Sequence, residues 1–89
     1  PAEEIAFGVK SAGAHVVALS ITYAPNLQSH INELRKLRRY LDHDVTIMVG
    51  GSAVGGNADP YKDLNIIHVK SIDHFSIELD KMTKGKSDG

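Results

Sequence analysis

The sequence predicts an α/β domain built on a parallel sheet, and two features carry this prediction. Three short apolar segments, HVVALS, DVTIMVGG and NIIHV, read as strands. The first is apolar on both faces, which is typical of a parallel sheet covered by helices. Segments with helical spacing alternate with the strands, and this order implies right-handed crossovers and parallel pairing. The predicted order is helix, strand, helix, strand, loop or short helix, strand, helix.

The first half of the chain contains two predicted helices. In PAEEIAFGVKSAG, a proline and two acids precede Ile5 and Val9, and Gly13 follows as a stop. The longer helix, NLQSHINELRKLRRYL, is the best defined. It places one apolar stripe toward the core, at Leu27, Ile31, Leu34, Leu37 and Leu41. Its charged residues are expected outside, at Glu33, Arg35, Lys36 and Arg39.

The second half begins with the strand Val45–Val49, which ends in the pair Gly50 and Gly51. The stretch SAVGGNADPYKD is rich in glycine and turn formers, so we expect a loop or at best a broken helix. SIDHFSIELDKMTK recovers helical spacing through Ile72, Phe75, Leu79 and Met82, with Gly85 just beyond its end. The domain is therefore predicted to span residues 1–84, with residues 85–89 as a disordered tail.

Length, composition and charge exclude several classes of protein. A chain of 89 residues is long enough for one domain with a modest core, and it contains no cysteine for a disulfide framework or a thiolate metal site. No apolar run approaches the about 20 residues of a membrane span, and the start, PAEE, lacks the basic residues of a signal peptide. The net charge of −1 gives no general attraction to nucleic acid or to an acidic membrane. We expect a cytoplasmic protein, and a start at Pro1 suggests a processed chain or a piece of a longer one.

A candidate ligand edge lies where two strands end. Ser20 and Thr22 follow the first strand, and Gly50 and Gly51 follow the next. The carboxyl ends of parallel strands meet at one edge of the sheet, and ligands of open α/β sheets usually bind there. A serine at a strand end is also a common turn former or helix cap, so a loop without a ligand remains the alternative.

These residues resemble the C-terminal half of the cobalamin-binding domain found in methionine synthases, corrinoid methyltransferase carrier proteins, B12-dependent mutases and MerR-type light-sensing regulators. The resemblance runs from the helix before GAHVVALSIT through VTIMVGGSA to the last helix, nearly the whole chain. The family carries Ser-x-Leu where this chain has Ser20, Ile21 and Thr22. The family's Asp-x-His-x-x-Gly motif, whose histidine ligates cobalt, is absent from this sequence, so no cobalt ligand is assigned.

The resemblance implies a three-layer flavodoxin-like fold that lacks the first strand, helix and strand. It also implies a module that holds the nucleotide tail of cobalamin for a methyltransferase, a mutase or a light-sensing regulator. Ser20 and Thr22 would offer hydroxyls to the tail, the glycines would let its rings approach the backbone, and Ser52 completes the candidate set. Because the chemistry belongs to the cofactor and a separate domain, the chain is expected to bind rather than to catalyse. A cofactor-free regulatory or interaction domain with the same fold stays open.

Other sites are poorly supported by the sequence. GGSAVGGNAD lacks the Lys-Ser/Thr of a P-loop and the glycine spacing of a dinucleotide site, and no nucleophile and base pair is evident. The histidines do not pair at the helical metal-site spacing, so no metal site is predicted. We expect His15 and His68 to be structural residues on strands. His30 and His74 on helices and His43 in a turn are expected to be solvated.

The free edge of the first strand predicts a partner. In a strand order of 2-1-3-4-5, the missing central strand would lie beside His15–Ser20. An open edge there would present backbone groups and Val16, Val17 and Leu19 to water. We therefore expect an upstream domain or a partner subunit that completes the fold, or a homo-oligomer formed through this edge.

Overall fold

The computed structural model describes residues 1–22, 26–52 and 59–87. Its elements are α1 (Ala2–Ala12), β1 (Val16–Ser20), α2 (Leu27–Tyr40), β2 (Thr46–Gly50), α3 (Asp59–Asp63), β3 (Ile66–His68) and α4 (Ile72–Ser87). This confirms the predicted order of helices and strands. The predicted broken helix is the short α3, and residues 53–58 of the same stretch lie outside the described residues.

The three strands form one parallel sheet in the order β1-β2-β3, which confirms the predicted parallel α/β class. The register pairs Val16 with Thr46 and Ser20 with Gly50, so β1 and β2 end together. The central strand, β2, contains three fully buried residues, Ile47, Met48 and Val49. Within the described part of the chain, no strand pairs with the outer edge of β1.

One face of the sheet holds the main core. Alternate strand positions, such as Leu19, Val49 and Ile66, point to this face and pack against α1 and α2. Four members of the predicted α2 stripe are buried here: Ile31, Leu34, Leu37 and Leu41. The fifth prediction is wrong, because Leu27 is 60% exposed. Leu27 opens α2 at the carboxyl edge, where the sheet it would pack against ends.

Local signals in the sequence position the first two helices. α1 ends at Gly13 in the left-handed conformation (φ 65°), and the Ala14 amide donates to the Val9 carbonyl at 3.0 Å, as in a Schellman cap. At the end of α2, Nη2 of Arg38 donates to the carbonyls of Asp42 (2.6 Å) and Val45 (2.9 Å). Arg38 therefore fixes the turn that leads into β2.

The opposite face of the sheet is covered more thinly. Met48 points there and is buried, whereas Ala18 on the neighbouring strand is exposed. α4 begins beside this face with Phe75 half-buried, but Ile72 is 80% exposed, so its predicted place in the apolar stripe is wrong. Ile72 is the first residue of α4 and protrudes at the helix start.

α4 also continues further than the sequence predicts. The helix includes Gly85 and ends at Ser87, because one glycine weakens a helix by only about 1 kcal/mol and does not have to end it. Residues 88 and 89 of the predicted tail lie outside the described residues. None of the described helices is long and apolar enough to cross a membrane.

Candidate ligand cavity at the carboxyl edge

A cavity of about 390 Å³ lies at the carboxyl edge of the sheet, on the face opposite α1 and α2. The strands contribute Ala18, Ser20, Met48 and Gly50 to its lining. These four residues share one face because side chains alternate along a strand and the register sets Ala18 beside Met48 and Ser20 beside Gly50. The far wall comes from the segment after β3 and from the start of α4.

The far wall is held close to the sheet by backbone contacts. The Val69 amide donates to the Val49 carbonyl at 2.8 Å, which extends the pairing of β3 beyond its last residue. A Cβ at Gly50 would lie 3.1 Å from the Val69 carbonyl oxygen, so a glycine lets these two backbones approach. Phe75, half-buried, adds an aromatic side to the cavity.

The structure brings together three of the five predicted binding residues. Ser20, Gly50 and Gly51 all line the cavity, and Ser20 and Gly50 are direct neighbours across β1 and β2. Thr22 and Ser52 are exposed and do not line it. Thr22 lies in a bend two residues past the end of β1, and Ser52 lies in the turn that leads away from β2.

Gly51 has a structural role that does not depend on the ring approach implied by the resemblance. Its φ is +107°, and a Cβ there would lie 2.7 Å from the Ile21 nitrogen and 2.9 Å from the Ile21 carbonyl carbon. The Ile21 amide also donates to the Gly50 carbonyl at 2.7 Å. The space beside the Gly51 Cα is therefore filled by the backbone that follows β1, and the glycine is needed to close the two strand ends together.

The polar groups of the cavity are few and mostly engaged. The Ser71 hydroxyl accepts a hydrogen bond from the His74 amide (3.0 Å), and Nδ1 of His74 accepts one from the Lys70 amide (3.1 Å). Ser20 is exposed at the opening, and Lys70 is the one charged residue among the described lining residues. The described lining includes no histidine, aspartate or glutamate. This arrangement suits the binding of an apolar group with a few polar contacts at its rim.

A second group of side chains lies on the other face of the same edge. Tyr61 of α3 is 2% exposed, and its hydroxyl lies 3.3 Å from Nε2 of His30 in the first turn of α2. The Tyr61 ring also packs against His68 at the end of β3, with 5.5 Å between ring centroids. Burial raises the pKa of Tyr61 and lowers the pKa of His30.

The histidine predictions are corrected in part. His30 is half-buried against Tyr61 and His74 is half-buried in contact with the Lys70 amide, so the prediction that both are solvated is wrong. The prediction that His15 is a structural strand residue is wrong for its side chain, because His15 precedes β1 and is exposed. Its carbonyl accepts from the Thr46 amide at 2.9 Å. His68 lies on a strand and His43 is exposed in a turn, as predicted. No cluster of three potential metal-ligating side chains occurs among the residues that the structure describes.

Sequence reasoning missed the rest of the cavity and the whole Tyr61 contact. The alternation of side chains along the strands could have added Ala18 and Met48, because they share a face with Ser20 and Gly50. Tyr61 gave no such signal, since DPYKD is too short for a helical period.

Comparison of the chain with protein-family models, with curated proteins and with solved structures gives no match.

Proposed function

We propose that this chain is a binding module whose cavity at the carboxyl edge holds the nucleotide tail of a cobalamin. The observation that carries the proposal is the cavity itself, which joins Ser20 and Gly50 at the ends of two parallel strands. Both positions belong to the resemblance to cobalamin-binding domains, as the serine after the first strand and the first glycine of the pair Gly50 and Gly51. A cavity with an apolar floor and a hydroxyl at its opening suits a flat heterocycle attached to a polar chain.

The arrangement of layers supports a flavodoxin-like fold as part of this proposal. The order β1-β2-β3 corresponds to the last three strands of the order 2-1-3-4-5. α1 and α2 pack on one face, and α4 starts beside the other. In such a fold the missing first unit would place a strand beside β1 and a helix over Ala18, where the described sheet is open.

The residues that line the cavity fit the nucleotide tail of cobalamin better than its cobalt centre. Ser20 would donate its hydroxyl hydrogen to a ring nitrogen or accept a hydrogen bond from the tail, and Met48 and Phe75 would pack against the rings. No residue is assigned to the cobalt, because the family's histidine motif is absent from the sequence. The cofactor supplies the organometallic chemistry when it is bound, and this chain would orient it in a cytoplasmic enzyme or regulator that contributes the remaining domain.

A second candidate is a cofactor-free interaction domain of the same fold. It is favoured by the contact of Gly51 with the Ile21 backbone, which shows that the glycine pair has a structural role without any ligand. It is favoured also by the exposed Ala18 on the open face, which leaves room for a protein partner.

The test compares two corrinoids by equilibrium dialysis and absorbance. Hydroxocobalamin carries the nucleotide tail, whereas cobinamide lacks it, so a tail-binding cavity retains the first and releases the second. Ala18→Phe should abolish binding, because Ala18 is an exposed lining residue and a phenyl group there would fill the cavity without disturbing the core. Ser20→Ala should weaken binding by up to about tenfold through the lost hydrogen bond.

Thr22→Ala is the matched control for Ser20→Ala. It removes a hydroxyl from an exposed residue near the same edge that does not line the cavity, so cobalamin affinity should stay unchanged. Two outcomes would refute the proposal and favour the interaction domain. In one, the chain retains hydroxocobalamin and cobinamide equally; in the other, Ala18→Phe retains hydroxocobalamin as well as the wild type does.

A further inference from the structure

The His30–Tyr61–His68 cluster joins three elements that are distant in sequence. His30 belongs to the first turn of α2, Tyr61 to α3 and His68 to the end of β3. The Tyr61 ring lies edge-on to the His30 imidazole, at 6.1 Å between centroids, and is tilted against the His68 imidazole at 5.5 Å. Tyr61 is buried, whereas Lys62 and Asp63, the other residues of α3 whose side chains are described, are exposed. The contact of Tyr61 with the two imidazoles is therefore a main anchor of this short helix.

His30 is placed where a proton would be costly, and the His68 imidazole packs against the same phenol ring. Nε2 of His30 is 3.3 Å from the Tyr61 hydroxyl, which donates to this nitrogen while it is unprotonated. A protonated Nε2 would instead donate to the phenol oxygen, and the phenol hydrogen would lose its acceptor among the described residues. Nδ1 of His68 is buried and has no hydrogen-bond partner among the described residues. A proton on His68 would leave a charged N–H without an acceptor, and protonation of both rings would set two like charges on either side of one phenol.

We propose that the His30–Tyr61–His68 cluster is an acid-sensitive latch that holds α3 between the start of α2 and the end of β3 at neutral pH and releases it when the imidazoles protonate. Tyr61 cannot compensate the charge, because its phenol stays neutral throughout the range in which histidine titrates. The latch is a property of the fold and does not depend on the proposed cofactor.

No charged group of the described residues replaces the hydrogen bond that Tyr61 donates to His30 at neutral pH. On α2, Glu33 follows His30 by three residues. Its Oε2 lies 4.0 Å from Nζ of Lys36 and has no hydrogen-bond partner among the described residues. On α3, Lys62 and Asp63 are exposed to water. On β3, His68 itself is the titratable group that faces Tyr61. No described carboxylate forms an ion pair with His30 or His68, so acid adds charge to the cluster without a countercharge.

The sign of the pH effect follows from the direction of the His30 shift. Burial lowers the pKa of His30 below its ordinary value of 6.5. Such a group stabilises the folded state above its ordinary pKa, and this stabilisation is lost as the pH falls below it. Each unit by which folding lowers the pKa corresponds to about a tenfold loss of protection of α3 on acidification.

Amide hydrogen exchange of the whole chain, followed by NMR, tests the latch between about pH 7.5 and about pH 5.5, which brackets the histidine range. The reporters are the amides of Leu64 and Asn65, which donate to the Tyr61 and Lys62 carbonyls in α3. After correction for the pH dependence of chemical exchange, their protection should fall with acid. The Ile5 and Leu41 amides in the helices packed on the sheet should keep theirs.

Variants separate the latch from general acid unfolding. The double variant His30→Gln/His68→Gln retains hydrogen-bonding side chains that do not titrate, so its α3 protection should not depend on pH. His43→Gln removes an exposed histidine from a turn and should behave like the wild type. If the double variant keeps the wild-type pH dependence, the proposal is overturned. If that variant does not fold, NMR titration of the wild-type protein decides, and an ordinary pKa for His30 overturns the proposal.

Discussion

At the scale of single residues, Gly51 and Gly8 have different roles in the structure. Gly51 has a φ of +107°, and backbone atoms of Ile21 would lie within 3 Å of an added Cβ, whereas Gly8 lies in α1 with nothing within 4 Å of an added Cβ. The sequence predicts that Ser20 and Gly50 meet, because parallel strands bring their carboxyl ends together. It does not predict what fills the space at Gly51, because that depends on how the chain turns after the neighbouring strand.

Gly51→Ala should destabilise the fold, whether or not a ligand binds. The positive φ alone costs a residue with a Cβ about 1–2 kcal/mol, and the contact with Ile21 adds to it. Urea unfolding followed by circular dichroism measures the change in the free energy of unfolding. The matched control is Gly8→Ala, which should stabilise α1 by about 0.5–1 kcal/mol. A stable Gly51→Ala variant would show that the strand ends are not closed as described.

At the scale of elements, the predicted stop of α1 at Gly13 is confirmed and the predicted stop of α4 at Gly85 is wrong. Apolar spacing fails at the first residue of α2 and of α4. Asn26 accepts a hydrogen bond from the Ser29 amide at 3.0 Å, and α1 ends at Gly13. Leu27 and Ile72 match the spacing of their helices but are exposed, because each begins a helix at an edge where the sheet stops. Helical period describes a face of a helix and carries no information on how far the partner surface extends.

Asn26→Ala should shorten α2 at its start and lower the free energy of unfolding by about 1 kcal/mol, because the Ser29 amide loses its acceptor. Urea unfolding measures the loss. Ser29→Ala is the control, since it changes the exposed side chain of the donor residue and leaves the amide in place. Equal stability of the two variants would mean that the cap contributes nothing measurable.

At the scale of the whole molecule, strand order was predictable and the covering of the sheet was not. Alternating helices and strands imply a parallel sheet, and the observed order leaves β1 at an edge as expected. The prediction that Val17 and Leu19 face water is wrong, because both pack against the core formed with α1 and α2. The open part of β1 consists of its outer backbone groups and of the face that carries the exposed Ala18 and Ser20.

The hydrogen-bond pattern shows which amides of β1 are available to a partner. The His15 carbonyl and the Ile21 amide both bond to β2. Because bonding to one neighbour alternates along a parallel strand, Val17 and Leu19 also face β2, and the amides of Val16, Ala18 and Ser20 point outward. A second copy of the chain that pairs here would join two three-stranded sheets into one of six strands about a two-fold axis.

We therefore expect the 89-residue chain to form a dimer through β1, and Ala18→Pro to make it monomeric. Proline removes the outward Ala18 amide and leaves the bonds between β1 and β2 intact, so the variant should keep its fold by circular dichroism. Ala18→Thr is the control, because it retains the amide and favours a strand, and it should remain a dimer. Light scattering at several concentrations measures the mass. A wild-type chain that is monomeric at high concentration would show that this edge is protected in solution without a partner.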